Sequence, residues 1–101
     1  MNLKVGLLGG GSWGTTVASL TAKNTPTKMW ARNEKTVEEI NKHHRNEKYL
    51  PGAKLTESLT ATTSIKEAVQ DADVIVMGVP AQSFRHVLED ARAHIRPWVP
   101  I

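Results

Sequence analysis

A glycine-rich turn near the N-terminus constrains the fold of this chain more than any other feature. Residues 3–8 are apolar and suit a β-strand, and they run directly into the pattern Gly9-x-Gly11-x-x-Gly14. The first glycine permits a tight turn, the second lets the backbone approach a ligand, and the third lets helix and strand pack closely. We therefore expect the strand, turn and helix that open a doubly wound α/β fold.

The rest of the chain alternates between strand-like and helix-like segments. We expect strands at 27–31, 59–62 and 73–79, and helices at about 13–23, 34–44, from 64 onward and from 84 to 97. Such alternation predicts parallel strands joined by right-handed crossovers, which is a Rossmann-type α/β sheet. The continuous apolar run at 74–77 indicates the most buried strand. Residues 98–101 resemble the start of a further strand, so the sheet is expected to be truncated before completion.

The helical segments carry signals for their buried faces and their ends. Trp13, Val17 and Leu20 recur at helical spacing and are expected to form the buried stripe of the first helix. Ser64 starts the Ser-x-x-Glu pattern of a capping box ahead of a short helix. Phe84 opens the apolar stripe of the last helix and is therefore expected in the core.

Composition narrows the class of protein. With 101 residues, 40% of them hydrophobic and 23% charged, the chain suits one small folded domain. No apolar run approaches the roughly 20 residues of a membrane-spanning helix, and the N-terminus carries no signal-peptide pattern. A cytoplasmic protein without a membrane partner is therefore expected. The chain has no cysteine, which excludes disulfides, thiolate metal sites and cysteine nucleophiles.

Charge and histidine placement argue against two further kinds of site. The net charge is +3, but the 13 basic residues are interleaved with 10 acidic ones rather than gathered in a patch. We therefore expect no nucleic-acid partner. The 4 histidines lack the spacing of metal ligands and the carboxylates are scattered, so no metal site is expected.

The context of the glycine turn predicts a dinucleotide site. Ser12 is expected to cap the helix that follows, and the free N–H groups at the start of that helix, with the positive end of its dipole, suit a pyrophosphate. Ser12 and Trp13 lie on this lip and are expected to contact phosphate or the adjoining ribose. Gly9, Gly11 and Gly14 complete the predicted cofactor-binding turn.

The same residues support a second hypothesis. Gly10-x-Ser12-x-Gly14 is the pattern of a hydrolase nucleophile elbow, which also lies between a strand and a helix. An elbow serine needs a histidine base oriented by a carboxylate, and none of the histidines has a clear place at the end of a strand. We therefore favour the dinucleotide site and keep the hydrolase as the less favoured alternative.

The residue that ends the second strand bears on the choice of cofactor. About 20 positions beyond the turn, dinucleotide-binding domains usually carry an acidic residue that binds the ribose hydroxyls. Arg32 occupies that place and can grip a 2′-phosphate with two parallel donors, so NADP is compatible and NAD stays open. The alternative is a solvated Arg32 beside Glu34. Asn33 could contact the ribose or simply cap the next helix.

The segment after the apolar run is expected to border the same site. Val79, Pro80, Ala81 and Gln82 follow that strand and face the crevice in which doubly wound folds bind ligands. The backbone around Pro80 is therefore expected to lie beside the cofactor. For the side chains of Gln82 and its neighbour Ser83, a plain proline start to a helix is an equally good explanation.

Four segments of the chain resemble one family of enzymes. They are GGGSWGT at 9–15, MWARN at 29–33, NEKYLPG at 46–52 and DADVIVMGVP at 71–80. Together they are similar to the N-terminal domain of NAD(P)-dependent glycerol-3-phosphate dehydrogenases. The tryptophan after the glycines and the Lys-Tyr-Leu-Pro-Gly loop carry most of the resemblance, because generic nucleotide-binding domains share neither.

The resemblance implies a reaction and a set of contacts. The reaction is reversible hydride transfer between the nicotinamide of NAD(P) and C2 of a small phosphorylated substrate. It interconverts sn-glycerol 3-phosphate and dihydroxyacetone phosphate, in glycerophospholipid synthesis. By motif, the implied cofactor contacts are Ser12, Trp13, Arg32 and Asn33, with Tyr49 as an addition.

The resemblance also implies a larger protein. Residues 1–101 would form its NAD(P)-binding domain, and a C-terminal helical substrate domain with the essential lysines would lie outside this chain. The full-length protein would be a homodimer. No catalytic residue is therefore assigned here, and the chain alone is expected to bind dinucleotide without turnover. Two alternatives stay open, a non-catalytic dinucleotide-sensing module and another NAD(P)-dependent dehydrogenase.

Overall fold

The computed structural model describes residues 3–95 and shows the predicted alternation of strands and helices. In chain order the elements are β1 (Val5–Leu8), α1 (Ser12–Ala22), β2 (Thr27–Trp30), α2 (Glu34–His43), β3 (Thr60–Thr62), α3 (Ile65–Val69), β4 (Val74–Met77) and α4 (Ala81–Arg92). The strand expected at 98–101 and the helix end expected at Pro97 lie outside the described residues.

The strands form one parallel sheet in the order β3-β2-β1-β4. β1 is paired on both sides, with Leu8 in register with Trp30 of β2 and with Met77 of β4. From β1 the chain moves outward through β2 to β3, and it then returns to place β4 on the other side of β1. The predicted doubly wound α/β fold is therefore confirmed. The strand order reverses between β1 and β4, and such folds bind ligands at that reversal, outside the carboxyl ends of the strands.

Neighbouring residues of the strands supply two separate hydrophobic cores, one on each face of the sheet. Leu7 and Leu8 follow each other in β1 but belong to different cores, because successive side chains of a strand point to opposite faces. The first core lies under α1 and α2 and consists of Leu7, Ala18, Ala22, Met29, Ile40, Leu55, Leu59 and Ala61. The second lies under α3 and α4 and consists of Leu8, Trp30, Ala68, Val69, Ala72, Ile75, Val87 and Ala91. Cover on both faces explains the continuously apolar sequences of β1 and β4.

Burial along the strands differs from the expectation for β4. The prediction that 74–77 is the most buried strand is wrong, because Ile75 is the only fully buried residue of β4. In β1, by contrast, both Leu7 and Leu8 are inaccessible to solvent. Within residues 3–95, β4 has a neighbouring strand on one side only, so its other side is open.

α1 buries small residues rather than the predicted stripe. Its buried residues are Gly14, Thr15, Ala18 and Ala22. Trp13 is 59% exposed and Leu20 56% exposed, so the prediction that they form the buried face with Val17 is wrong. The physical reason is the close approach of α1 to β1, since a Cβ on Gly14 would lie 2.9 Å from the carbonyl oxygen of Gly9. At that separation the interface has room for small side chains only.

α4 packs by an ordinary apolar stripe, except at its start. Val87 and Ala91 are buried, and Ile95 packs partly against the second core. Phe84 is 42% exposed, so the prediction that it lies in the core is wrong. The first turn of α4 lies just beyond the carboxyl end of β4, where the sheet no longer offers a surface for that side chain to cover.

Side chains cap the starts of α2 and α3. Asn33 Oδ1 accepts a hydrogen bond from the N–H of Lys35 at 2.8 Å, and Ser64 Oγ accepts one from the N–H of Glu67 at 3.2 Å. The Ser64 half of the capping box is therefore confirmed. The other half differs, because Thr62 Oγ1 takes the Ser64 N–H at 3.0 Å and donates to the Glu67 carboxylate at 2.8 Å.

The long segment between α2 and β3 is fastened to α1. Asn46, Leu55 and Leu59 of this segment are buried. The Thr56 N–H donates to Ser19 Oγ at 3.0 Å, and Thr56 Oγ1 donates to the Ser19 carbonyl oxygen at 2.7 Å. The Lys-Tyr-Leu-Pro-Gly loop therefore belongs to an anchored segment beside the start of α1.

Candidate functional site

A cavity of about 560 Å³ opens at the carboxyl edge of the sheet, where the strand order reverses between β1 and β4. Its walls come from the turn after β1, the segments after β2 and β4, and the loop that follows α2. Every predicted cofactor-binding residue except Gly14 lines it, namely Gly9, Gly11, Ser12, Trp13, Arg32, Asn33, Tyr49 and Pro80. Its volume is typical of small-molecule sites, which range over roughly 300–1,000 Å³.

The glycines of the turn serve different purposes. Gly9 has a φ of +142°, and a Cβ there would collide with the carbonyl group of Gly78 at the end of β4. Gly14 is buried beneath the cavity and allows α1 to approach β1. A Cβ on Gly11 would meet no atom within 4 Å, and Gly11 lines the cavity. Gly9 and Gly14 therefore shape the turn, and Gly11 leaves room for a ligand to reach the backbone.

The turn offers unpaired backbone donors. Gly11 is the N-cap of α1, and the N–H groups of Gly11, Ser12 and Trp13 have no hydrogen-bond partner among residues 3–95. Unpaired donors at a helix N-terminus attract anions, and the helix dipole adds to that attraction. The prediction that Ser12 caps the helix is wrong, because Ser12 is its first residue and Ser12 Oγ donates to the carbonyl oxygen of Tyr49 at 2.8 Å. A diphosphate fits this donor set chemically.

Aromatic and apolar side chains surround the mouth of the cavity. The ring of exposed Trp13 lies against the backbone of Gly78, where a Cβ would be 3.4 Å from the ring. Tyr49 is 40% exposed on the opposite loop, with the ammonium of Lys48 5.3 Å from its ring centroid. Pro80 forms the N-cap of α4. The site thus combines a polar floor with a partly apolar rim, as pockets for organic ligands commonly do.

Arg32 and Asn33 follow β2 at the edge of the cavity. The guanidinium carbon of Arg32 lies 5.9 Å from the centroid of the Trp30 ring, which is a cation–π distance. The ion pairs formed among residues 3–95 do not include Arg32, so a pairing with Glu34 is not observed. The Asn33 carboxamide oxygen is already used as the cap of α2. The exposed guanidinium therefore borders the cavity with no carboxylate bound to it.

Some residues that line the cavity are not predicted from the sequence. Trp30, Thr36 and Gly78 line it, although none of them belongs to the predicted site. The sequence could have indicated Gly78, because a glycine directly after a strand permits another backbone to approach closely. Here that backbone is Gly9. Trp30 and Thr36 have no such signal, since a tryptophan in a strand resembles core and a threonine in a helix resembles surface.

Known proteins share this sequence and this fold. A family model described as NAD-dependent glycerol-3-phosphate dehydrogenase N-terminus matches residues 4–101. The chain belongs to this family. Glycerol-3-phosphate dehydrogenase (NAD(P)+) 2 of Sphingopyxis alaskensis is 61% identical over 101 residues, which cover 100% of this chain and 30% of that protein. The corresponding Mycobacterium avium protein is 52% identical over 99 residues, which cover 97% of this chain and 29% of the relative.

A solved glycerol-3-phosphate dehydrogenase from Saccharomyces cerevisiae has the same fold. It superposes with a TM-score of 0.90 at 33% identity, over 98% of this chain and 32% of that structure. The resemblance read from the glycine turn and the Lys-Tyr-Leu-Pro-Gly loop is therefore confirmed. The chain spans about 30% of the length of the curated glycerol-3-phosphate dehydrogenases that it matches.

The hydrolase alternative finds no support in this member of the glycerol-3-phosphate dehydrogenase family. The hydroxyl of Ser12 donates to a main-chain carbonyl, and no histidine among residues 3–95 forms a hydrogen bond with it. An elbow serine without a histidine base lacks the group that would take its proton.

Membrane-spanning helices and metal-holding clusters are both absent from the described part of the chain. Between residues 3 and 95, no helix is long and apolar enough to cross a membrane. In the same range, no three histidine, aspartate or glutamate side chains lie together in a way that could hold a metal ion.

Proposed function

We propose that this chain binds NAD(P) in the cavity between the ends of β1 and β4, as the cofactor-binding part of a glycerol-3-phosphate dehydrogenase. The observation that carries the proposal is the row of unpaired N–H groups at Gly11, Ser12 and Trp13 beside a cavity of ligand size. A diphosphate has enough oxygen acceptors to engage several of these donors together. Relatives named glycerol-3-phosphate dehydrogenase (NAD(P)+) support the choice of ligand.

The remaining contacts of the proposed site follow from side-chain chemistry. Trp13 and Tyr49 offer flat, partly apolar surfaces near the turn. Arg32 offers paired donors for a 2′-phosphate, which makes NADP compatible, and Asn33 lies beside it for a ribose contact. Pro80 borders the cofactor on the side of β4.

Bound NAD(P) supplies the hydride donor or acceptor of the reaction. The residues of this chain bind and orient it, and they do no more in our proposal. Reduction of a carbonyl also needs a proton donor at the oxygen. The residues lining the cavity include no aspartate, glutamate, histidine or lysine, and the one tyrosine among them, Tyr49, is assigned to a cofactor contact. We therefore assign no catalytic residue and expect the chain alone to catalyse no turnover.

The wider assignments belong to the same proposal. Residues 1–101 are the NAD(P)-binding domain, and a helical substrate domain completes a longer protein. That protein interconverts sn-glycerol 3-phosphate and dihydroxyacetone phosphate in glycerophospholipid synthesis, as a cytoplasmic homodimer. The names of the relatives support this view, and so does the 30% share of their length that the chain covers.

The test of the proposal is a titration of the 101-residue chain with NADPH and with NADH, followed by cofactor fluorescence. We expect saturable binding below about 1 mM for at least one of them. Absence of saturation at millimolar cofactor would overturn the proposal. The same protein is expected to show no reduction of dihydroxyacetone phosphate, and measurable turnover would contradict the assignment of the proton donor to another part of the enzyme.

The cofactor preference is tested by Arg32→Asp. Loss of the charge-assisted contacts to a 2′-phosphate is expected to weaken NADPH binding relative to NADH by roughly tenfold or more. Arg85→Asp is the matched control, because it changes net charge equally at an exposed position that does not line the cavity. An unchanged NADPH to NADH ratio in Arg32→Asp would remove the 2′-phosphate role of Arg32 and leave dinucleotide binding itself intact.

A further inference from the structure

Asn46 does not line the cavity, yet its side chain is bonded directly to the glycine turn. Asn46 is fully buried. Its Nδ2 donates to the carbonyl oxygen of Gly10 at 3.0 Å and to Thr15 Oγ1 at 2.9 Å. Thr15 Oγ1 in turn lies 3.3 Å from the same carbonyl oxygen and donates to it. These groups form a closed triangle of hydrogen bonds beneath the turn.

The triangle controls the direction of the peptide between Gly10 and Gly11. In a trans peptide, the C=O and the following N–H point in opposite directions, and none of the described peptide bonds is cis. Because the Gly10 oxygen is held toward Asn46 and Thr15, the Gly11 N–H points the other way, and Gly11 lines the cavity. A peptide flanked by two glycines otherwise rotates easily, and a rotated one would present its carbonyl oxygen to an anion.

The burial of Asn46 indicates that its donor group is what matters. Asn46 Oδ1 is buried and has no hydrogen-bond partner among residues 3–95. An unpaired buried oxygen costs stability, so packing alone would be served better by an apolar side chain of similar size. The loop that bears Asn46 is also tied to the turn from its other end, where Ser12 Oγ donates to the Tyr49 carbonyl oxygen at 2.8 Å.

We infer that Asn46, acting with Thr15, is a positioning residue that pre-organises the Gly10–Gly11 peptide for binding the diphosphate of the cofactor. The inference rests on the proposed function, since it specifies how the same site is prepared. In this role Asn46 touches no ligand, since it does not line the cavity. Its contribution is to avoid the cost of ordering the turn at the moment of binding.

Asn46→Leu tests the inference, because it keeps the side-chain volume approximately and removes the donor. We expect the Kd for NADPH to rise by roughly tenfold, from the lost hydrogen bonds and the released peptide. Asn41→Leu is the matched control, because Asn41 also bonds to backbone, on both the N–H and the C=O of Ala61 in β3, far from the turn in the sheet order. It is expected to lower stability and leave the Kd unchanged.

A pair of substitutions at Thr15 separates positioning from packing and serves if Asn46→Leu does not fold. Thr15→Val keeps the shape and removes the hydroxyl, and Thr15→Ser keeps the hydroxyl and removes a methyl group. Positioning by hydrogen bonds predicts weaker NADPH binding in Thr15→Val and near-normal binding in Thr15→Ser. A role in packing alone predicts the reverse order.

The outcomes distinguish the inference from the proposed function. Normal NADPH affinity in Asn46→Leu, an equal loss in Asn41→Leu, or a better affinity in Thr15→Val than in Thr15→Ser would each overturn the positioning role while leaving the site in place. Failure of the unaltered chain to bind NADPH would overturn the proposed function, and the positioning role with it.

Discussion

Two of the helices that begin at the edge of the cavity, α1 and α4, are held against the sheet in different ways. α1 buries Gly14, Thr15, Ala18 and Ala22, whereas α4 buries Val87 and Ala91. Both helices have an exposed aromatic residue near their start, Trp13 in α1 and Phe84 in α4. The difference lies in the contact with the sheet, which in α1 is made by backbone and small side chains and in α4 by an apolar stripe.

This difference follows from what each helix does. The first turn of α1 must bring its N–H groups to the end of β1, and every missing Cβ shortens that approach. α4 covers the second core and is stabilised by the apolar area that it removes from water. α1 is therefore positioned by glycine and small side chains, which let it approach β1 closely. α4 is positioned by apolar side chains that pack on the second core.

The largest expected effect comes from Gly9→Ala. Its φ of +142° and the collision of a Cβ with the Gly78 carbonyl leave no relaxed conformation, so we expect a loss of at least about 3 kcal/mol in the free energy of unfolding. NADPH binding is expected to disappear. Gly52→Ala is the control, because Gly52 has a φ of +77° in open space and is expected to lose only about 1 kcal/mol. Urea unfolding measures the free energy of unfolding of both variants. Equal losses in Gly9→Ala and Gly52→Ala would contradict our view that close backbone approach at the turn holds α1 against the sheet.

The same substitution in the two helices tests their packing directly. Ala18 in α1 and Ala91 in α4 are both inaccessible to solvent. Ala18→Leu is expected to cost about 2 kcal/mol, because α1 cannot move away from β1 without opening the turn. Ala91→Leu is expected to cost about 1 kcal/mol, because α4 can shift outward. A larger loss for Ala91→Leu, measured by urea unfolding, would reverse our view of which helix is tightly held.

The exposed aromatic residues sharpen the comparison at the level of binding. Trp13→Ala and Phe84→Ala both remove aromatic side chains that are partly solvated, 59% and 42% exposed respectively, and both variants are expected to fold with at most a modest loss of stability. Trp13 lines the cavity and Phe84 does not. We therefore expect roughly tenfold weaker NADPH binding in Trp13→Ala alone, from the lost aromatic contact. Similar affinities of the two variants for NADPH would contradict the proposed placement of the cofactor beside Trp13.

The smallest effect concerns the solvent side of α2. Lys42 Nζ donates to Glu38 Oε1 at 2.8 Å, and this hydrogen bond, with the ammonium charge, lowers the pKa of Glu38. A lowered carboxyl pKa contributes stability above the pKa of the unfolded chain, and the contribution is lost as the pH falls through the lowered value.

Lys42→Ala is therefore expected to raise the pKa of Glu38 in a carboxyl NMR titration. Stability near pH 7 is expected to stay almost unchanged, because both groups are exposed. A substantial loss of stability would mean that surface charge, and not only the contact with the sheet, holds the α1–α2 face together.

Short sequence patterns predicted the positions of the strands and helices well. They predicted less well which residues of those elements are buried. The strand, glycine turn and helix at the start of the chain and the Ser64 cap of α3 agree with the structure, because each depends on neighbours in sequence. The buried face of α1 and the place of Phe84 do not, because burial depends on which element lies opposite. Helical spacing identifies residues on one face, but it does not report the distance from that face to the sheet.

The residues of the candidate site also fall into two groups, those that the sequence predicts and those that only the packing of distant segments brings together. The predicted residues around the turn and after β2 line the cavity because the carboxyl ends of parallel strands meet at one edge. Gly10, Thr15 and Asn46 form their triangle across a sequence separation of up to 36 residues, and no local pattern encodes such a contact. The packing of the loop after α2 against α1 creates it.

The order of strands and helices, the glycine turn and the family were determined by the sequence alone, since each rests on residue type and spacing along the chain. Tertiary structure decided which side chains are buried and which residues meet at the cavity. It also decided that the side-chain amide of Asn46 bonds to the glycine turn. Those properties depend on distances between elements. Differences of a fraction of an ångström in such a distance decide whether a hydrogen bond or a close contact forms, and spacing along a chain does not record them.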